Sequence, residues 1–266
     1  MDAKAAFQLL TKPRRVAMTA DETALLQSGT SRRVTMQSHD LAGWSWGETG
    51  PRIMLVHGWE SRGSHLGQFV KPLRAAGFQV WAFDAPSHGD SLETAASVVH
   101  HGRALLDIAQ AHGPFDGVVA HSAGSPAALY AFRHGMRVKS SVHIAGPASL
   151  ERVVRRMAKA GALDVEGTEE LLATMEAFIG HPLASMEAEE LTSGLLHPAL
   201  LLHDPADPEV PYKETTLLAR SWPSARIMSI EGTGHRRIIR DPRTITATVM
   251  HLTKTIRHQQ IRAKSP

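Results

Sequence analysis

The chain has 266 residues, enough for one large domain or for a domain carrying an insertion, and its 42% hydrophobic content can fill a core. With 21% charged residues and a net charge of +3, composition excludes wholesale disorder, and charge implies neither a nucleic-acid nor a membrane partner. Cysteine is absent, which excludes a disulfide framework, a thiol nucleophile and a cysteine-ligated metal.

Residues 1–30 read as a helical or irregular lead-in, broken by Pro13 and punctuated by Gly29. The apolar run Ala5 to Leu10 is too short for a secretory leader, and no stretch approaches the ~20 apolar residues of a membrane span, so a cytoplasmic location is expected. Residues 32–38 and 41–47 form two short runs joined by His39-Asp40; the second alternates with a period of two, consistent with an antiparallel hairpin. Residues 53–56 form a continuous apolar run of the kind found in strands buried on both faces. Helical spacing then covers 66–76, a β-rich run 78–83 ends at Asp84, and 94–111 predicts a long helix. Strand 118–120, helix 123–133 and strand 138–144 follow. After an interruption come strand 199–202, helix 213–219, strand 225–230 and helix 244–256. The basic residues Lys254, Arg257, Arg262 and Lys264 are expected in a solvated helix end and tail. Such alternation implies right-handed crossovers and an α/β fold, a mostly parallel sheet covered by helices on both faces.

The interruption, residues 147–196, carries three helical patterns, 150–160, 169–179 and 187–195, with Thr168 expected to cap the second. A single crossover helix needs far less chain. The segment is therefore expected to be a small helical cap inserted into a core of residues 31–146 and 197–266, with 1–30 as the lead-in.

The sharpest chemical signal is Val118-Val119-Ala120-His121-Ser122-Ala123-Gly124, where a buried strand gives way to a helix. In open α/β sheets that edge, at the carboxyl ends of the strands, is where ligands bind. A serine in such a tight turn projects its hydroxyl outward beside helix N-terminal amides, and residues two before and two after must be small, as Ala120 and Gly124 are. The segment resembles the nucleophile elbow of the α/β-hydrolase family, G-x-S-x-G between strand and helix, with Ala120 in place of the first glycine. Pro126 falls in the first helical turn, where its missing N–H costs little.

A serine hydroxyl needs a base. His121 is adjacent, but neighbours on a strand point to opposite faces, so it is expected to be structural. The resemblance implies the chain order nucleophile, acid, histidine. In His203-Asp204-Pro205-Ala206-Asp207-Pro208-Glu209-Val210-Pro211 it assigns the acid to Asp207, three residues before Val-Pro; Asp204 is the alternative, or a turn former beside Pro205. Glu231-Gly232-Thr233-Gly234-His235 offers the base: of sixteen histidines, His235 has both the order and the setting. His57-Gly58-Trp59 resembles the family's His-Gly loop, which implies the backbone N–H groups of Trp59 and Ala123 as an oxyanion hole, with His57 orienting the loop. The loop Phe83-Asp84-Ala85-Pro86-Ser87-His88-Gly89-Asp90-Ser91 is similar to another family loop and is assigned no catalytic part. His100-His101 lies on a predicted helix without an acidic ligand pattern, and no metal is expected there.

These matches run from residue 53 to the last helix. They imply an α/β-hydrolase fold and a cofactor-free serine hydrolase, closest to carboxylesterase and serine-aminopeptidase-like members, acting on a small-molecule ester or acyl substrate. An acyltransferase, a peptidase or an amidase would use the same three residues, and a ligand-binding protein on the same fold is the alternative from another class. Serine rather than aspartate at 122 argues against haloalkane dehalogenase and epoxide hydrolase chemistry. Met157, Leu163, Met175 and Phe178 are candidates for pocket walls, or for packing between cap helices.

Overall fold

A computed structural model describes residues 1–36, 39–94 and 96–257. The chain begins with helices α1 (Ala3–Thr11) and α2 (Ala20–Gln27), then strands β1 (Thr30–Ser31), β2 (Val34–Met36), β3 (His39–Leu41), β4 (Gly43–Trp46) and β5 (Arg52–Val56). A 3-10 segment, Gly63–Phe69, leads into α3 (Val70–Ala75), followed by β6 (Gln79–Phe83), α4 (Val98–His112), β7 (Gly117–His121), α5 (Gly124–Arg133) and β8 (Ser140–Ile144). Next come α6 (Leu150–Ala160), α7 (Val165–Ile179) and α8 (Ala188–Thr192). The chain closes with β9 (Ala199–His203), α9 (Lys213–Ser221), β10 (Ala225–Ser229), the short α10 (Gly234–Arg237) and α11 (Pro242–Leu252).

Eight strands form one sheet in the order β1-β4-β6-β5-β7-β8-β9-β10. From β6 to β10 every neighbour is parallel, whereas β4 runs antiparallel to β6 and to β1. The period of two sorts the central strands into two cores. Met54, Val56, Val118 and Ala120 pack with α4 and α5 on one face; Ile53, Leu55, Val119 and Val142 pack with α3 and α11 on the other. Buried residues of α6, α7 and α8 continue the first of these cores. No helix among the described residues is long and apolar enough to cross a membrane.

Several expected boundaries move. The hairpin pairs Val34 with Leu41 and Thr35 with Asp40, and continues in the same register as Ser31 with Trp44. His39 and Asp40, expected to join the two strands, therefore belong to the second of them, β3; residues 37 and 38 lie outside the described residues. Helix α4 starts at Val98, because the Ser97 hydroxyl caps it by accepting from the His100 N–H. Helix α7 is capped by Asp164, not Thr168; the Thr168 hydroxyl donates to the Asp164 carbonyl at 2.7 Å. Lys254 is exposed as expected, while Arg262 and Lys264 lie outside the described residues.

The order of the parallel strands decides where chemistry can gather. β5, β7, β8, β9 and β10 are successive neighbours, so the loops leaving their carboxyl ends share one edge of the sheet. Those loops carry residues 57–59, 122, 204–207 and 231–235.

Candidate active site

Ser122 follows β7 directly and has φ 52, in the left-handed region that a residue with a Cβ rarely adopts. Its N–H donates to the Ile144 carbonyl of β8 at 2.9 Å, which pins the turn. Helix α5 begins two residues later, and its entry is tight: a Cβ on Gly124 would stand 2.5 Å from the carbonyl oxygens of both Val56 and His57. Gly58 also comes close, its Cβ position 2.8 Å from the Cβ of Ser122.

His235 lies in the first turn of α10, after Gly232 and Gly234 at φ 81 and φ 64, a backbone that glycine adopts without strain. The Ser122 hydroxyl donates to His235 Nε2 at 2.9 Å, and His235 Nδ1–H donates to Asp207 Oδ2 at 2.8 Å. A carboxylate only accepts, so the Asp207 contact places the imidazole proton on Nδ1 and leaves Nε2 free to receive one. His235 and Asp207 are 6% and 8% exposed.

Asp207 is held from four directions. Its Oδ1 accepts the N–H groups of Glu209 at 2.7 Å and Val210 at 2.9 Å, an Asx turn. Its Oδ2 accepts from His235 and also from His203 Nε2–H at 3.2 Å. Burial pushes the Asp207 carboxyl up, but the hydrogen bonds from His203, His235 and Val210 outweigh it and hold the group well below the usual carboxylate range. His203 Nε2–H also donates to the Val210 carbonyl at 3.0 Å, while its Nδ1 accepts from the Thr215 hydroxyl. Neither His203 nor Thr215 was singled out from the sequence. The available signal was a histidine closing the buried strand Ala199–His203, a position where a polar ring must find partners.

The alternatives fall elsewhere. Asp204 bonds to the backbone of the histidine loop, its Oδ2 accepting the N–H groups of Thr233 at 2.6 Å and Gly234 at 2.5 Å. It thus ties the β9 loop to the β10 loop instead of touching the His235 ring. His121 bonds to the His235 backbone instead of Ser122, its Nε2–H donating to the His235 carbonyl at 2.9 Å; burial lowers its pKa to about 3, so it stays neutral. His57 is fully buried, donates from Nδ1 to the Gly58 carbonyl at 2.8 Å and accepts the Ala85 N–H at 2.9 Å on Nε2. His101 packs its ring 5.3 Å from that of His57.

Ser122, Ala123, Trp59 and His235 border a cavity of about 700 Å³. Among the described residues, neither the Trp59 N–H nor the Ala123 N–H donates to another backbone carbonyl. The walls are largely apolar. Met157 and Met175 contribute to them, but Leu163 and Phe178 do not: Leu163 packs against the first core, and Phe178 turns its ring onto Phe7. Leu9, Leu10 and Arg14, from the lead-in, do line the cavity. A larger cavity of about 1120 Å³, near Arg52, Arg74 and Gln79 at the amino ends of β5 and β6, includes none of the residues described above.

A family model described as the alpha/beta hydrolase family matches residues 53–248. The fold is similar to that of an esterase from Pyrococcus furiosus (19% identity, TM-score 0.70, covering 93% of this chain and 98% of that one). It is also similar to a thermophilic esterase from Thermogutta terrifontis (18% identity, TM-score 0.65, 85% and 99%). It is similar as well to mouse alpha/beta hydrolase domain-containing protein 10 (18% identity, TM-score 0.70, 86% and 99%). Among curated proteins none matches the sequence.

Proposed function

The chain belongs to the α/β-hydrolase family, and from that premise we propose that it is a serine hydrolase cleaving an ester or related acyl bond through Ser122, His235 and Asp207. The observation that carries the proposal is the hydrogen-bonded row Ser122–His235–Asp207 opening on a largely apolar cavity. In the proposed cycle Ser122 Oγ attacks the carbonyl carbon while its proton passes to His235 Nε2. Asp207 keeps the ring oriented and offsets the imidazolium charge. The N–H groups of Trp59 and Ala123 donate to the oxyanion of the tetrahedral intermediate; removing one such donor typically costs about 10²–10³ in rate. Collapse of that intermediate expels the leaving group, which takes the proton from His235. Water, deprotonated by the same ring, then attacks the acyl-enzyme and frees Ser122.

The helices of residues 147–196 act in this reading as a cap over the core formed by 31–146 and 197–266, since α6 and α7 supply cavity walls. Esters are the favoured substrates. Thioesters, amides and acyl transfer to an alcohol use the same steps with a different leaving group or acceptor. The test is turnover of p-nitrophenyl esters by the wild type and the variants His235→Ala and Asp207→Asn. A fall of roughly 10³–10⁴-fold in kcat is expected in both variants, with thermal unfolding showing that each remains folded at the assay temperature. Wild-type rates in both variants would remove the two residues from the chemistry.

A further inference from the structure

The lead-in, which lies outside the family match at residues 53–248, forms part of the cavity wall. Ala3, Ala6, Phe7 and Leu10 recur at helical spacing, and Ala3 and Ala6 are buried in the same core as α7. Phe7 meets Phe178 of α7 edge-on, with ring centroids 5.2 Å apart. Beyond α1 the chain is pinned again. Arg14 binds Glu60 through Nε at 2.9 Å and Nη2 at 2.6 Å, and Arg15 donates to the carbonyls of Gly89 and Ser91 at 2.7 Å each. Glu60 is the residue after Trp59, so the lead-in runs from α7 to the loop holding a proposed oxyanion donor.

Leu9 is off the buried stripe and is 52% exposed, yet it borders the cavity together with Leu10. Leu150, Val153 and Met157 of α6 and Met175 of α7 border the same space. A half-exposed leucine beside an apolar hollow gains its burial only when an apolar ligand fills the hollow.

We propose that α1 is the specificity wall of this hydrolase, with Leu9 and Leu10 closing the cavity around a medium-length aliphatic chain of the substrate. The inference rests on the serine-hydrolase reading and names the substrate class: esters carrying such a chain, in preference to acetates. Each methylene that enters the cavity should raise kcat/KM about fourfold until the space is filled.

The test is the p-nitrophenyl series from acetate through butyrate, hexanoate, octanoate and decanoate, with a parallel series of alkyl acetates that puts the chain on the alcohol side. Leu9→Gln changes an exposed position, and Leu10→Trp fills space; thermal unfolding reports that each variant folds. Leu9→Gln is expected to lower the octanoate-to-acetate ratio of kcat/KM about tenfold, and Leu10→Trp to move the optimum to a shorter chain. Whichever series responds identifies the half of the ester that lies against α1. Wild-type ratios in both variants and both series overturn the wall while leaving the hydrolase reading intact. Absence of ester turnover by the wild type, with Ser122 unreactive, overturns both.

Discussion

Asp207 Oδ2 accepts hydrogen bonds from two imidazoles, and the second of them, His203, is enclosed by Thr215 and Val210 with no exposed surface. Removing that ring leaves a buried hydroxyl and a carbonyl without their partner and gives the carboxylate one donor fewer, a loss of about 1–3 kcal/mol. We expect His203→Phe to lower kcat about tenfold and to leave KM unchanged, because a less firmly held carboxylate orients the His235 ring less well. A purely structural role would lower the unfolding midpoint and leave kcat of the folded protein in place. The sequence pointed to Ser122, Asp207 and His235 because each stands in a motif with fixed spacing and a strand beside it. It could not point to His203, since nothing at residue 203 marks it except burial, and burial emerges only when β9 is packed between β8 and β10. Asp204 illustrates the same limit. Its bonds to Thr233 and Gly234 cross between loops about thirty residues apart in the chain, and spacing along one loop suggests only a turn.

At the scale of elements, the central strands are legible as apolar runs, and the sheet in their alternation with helices. A join at His39-Asp40 and the observed pairing of Val34 with Leu41 differ by a slide of four residues. An even slide keeps every side chain on its face, so a period of two does not distinguish the registers. Helix starts moved where several residues could cap: Asp164 and Thr168 both carry capping side chains, and Gly167 weakened the helical pattern between them. The lead-in eluded motif reading because its contribution is a packed apolar surface without a chemical signature. The elbow, by contrast, was expected to need small residues, and Gly124 bears the tightest contact, against the end of β5. Gly124→Ala should therefore push α5 from β5, cost about 1–3 kcal/mol of stability and reduce activity further by displacing the Trp59 amide relative to Ser122. Urea unfolding and ester turnover measure both; an unchanged midpoint with full activity would mean that the contact relaxes freely.

Across the whole molecule, histidine burial sets the acid limit of the fold. His101, His121 and His143 are 8%, 7% and 2% exposed, and burial lowers the pKa of each to about 3. In the unfolded chain they titrate near 6.5. Above that pH the folded and unfolded chains hold the same protons on these rings. Below it the unfolded chain binds protons that the folded one refuses, so stability falls by about 1.4 kcal/mol per pH unit for each ring, roughly 4 kcal/mol per unit for the three. Stability is then lost steadily from pH 6.5 toward the folded pKa values. Since folded domains hold about 5–15 kcal/mol in total, thermal midpoints are expected to drop steeply between pH 6.5 and 5. A midpoint that stays level to pH 5 would mean these rings accept protons in place. Composition reports sixteen histidines but not which of them the core encloses, so this limit becomes visible only in the assembled fold.

The proposed chemistry depends on one atom being far more reactive than any other hydroxyl in the chain. Incubation of the folded protein with a fluorophosphonate, followed by mass spectrometry of its peptides, reads this directly. A single phosphonyl adduct on the peptide containing Ser122, absent from Ser122→Ala, is the expected result. An unlabelled wild type, or a label that survives Ser122→Ala, would contradict it.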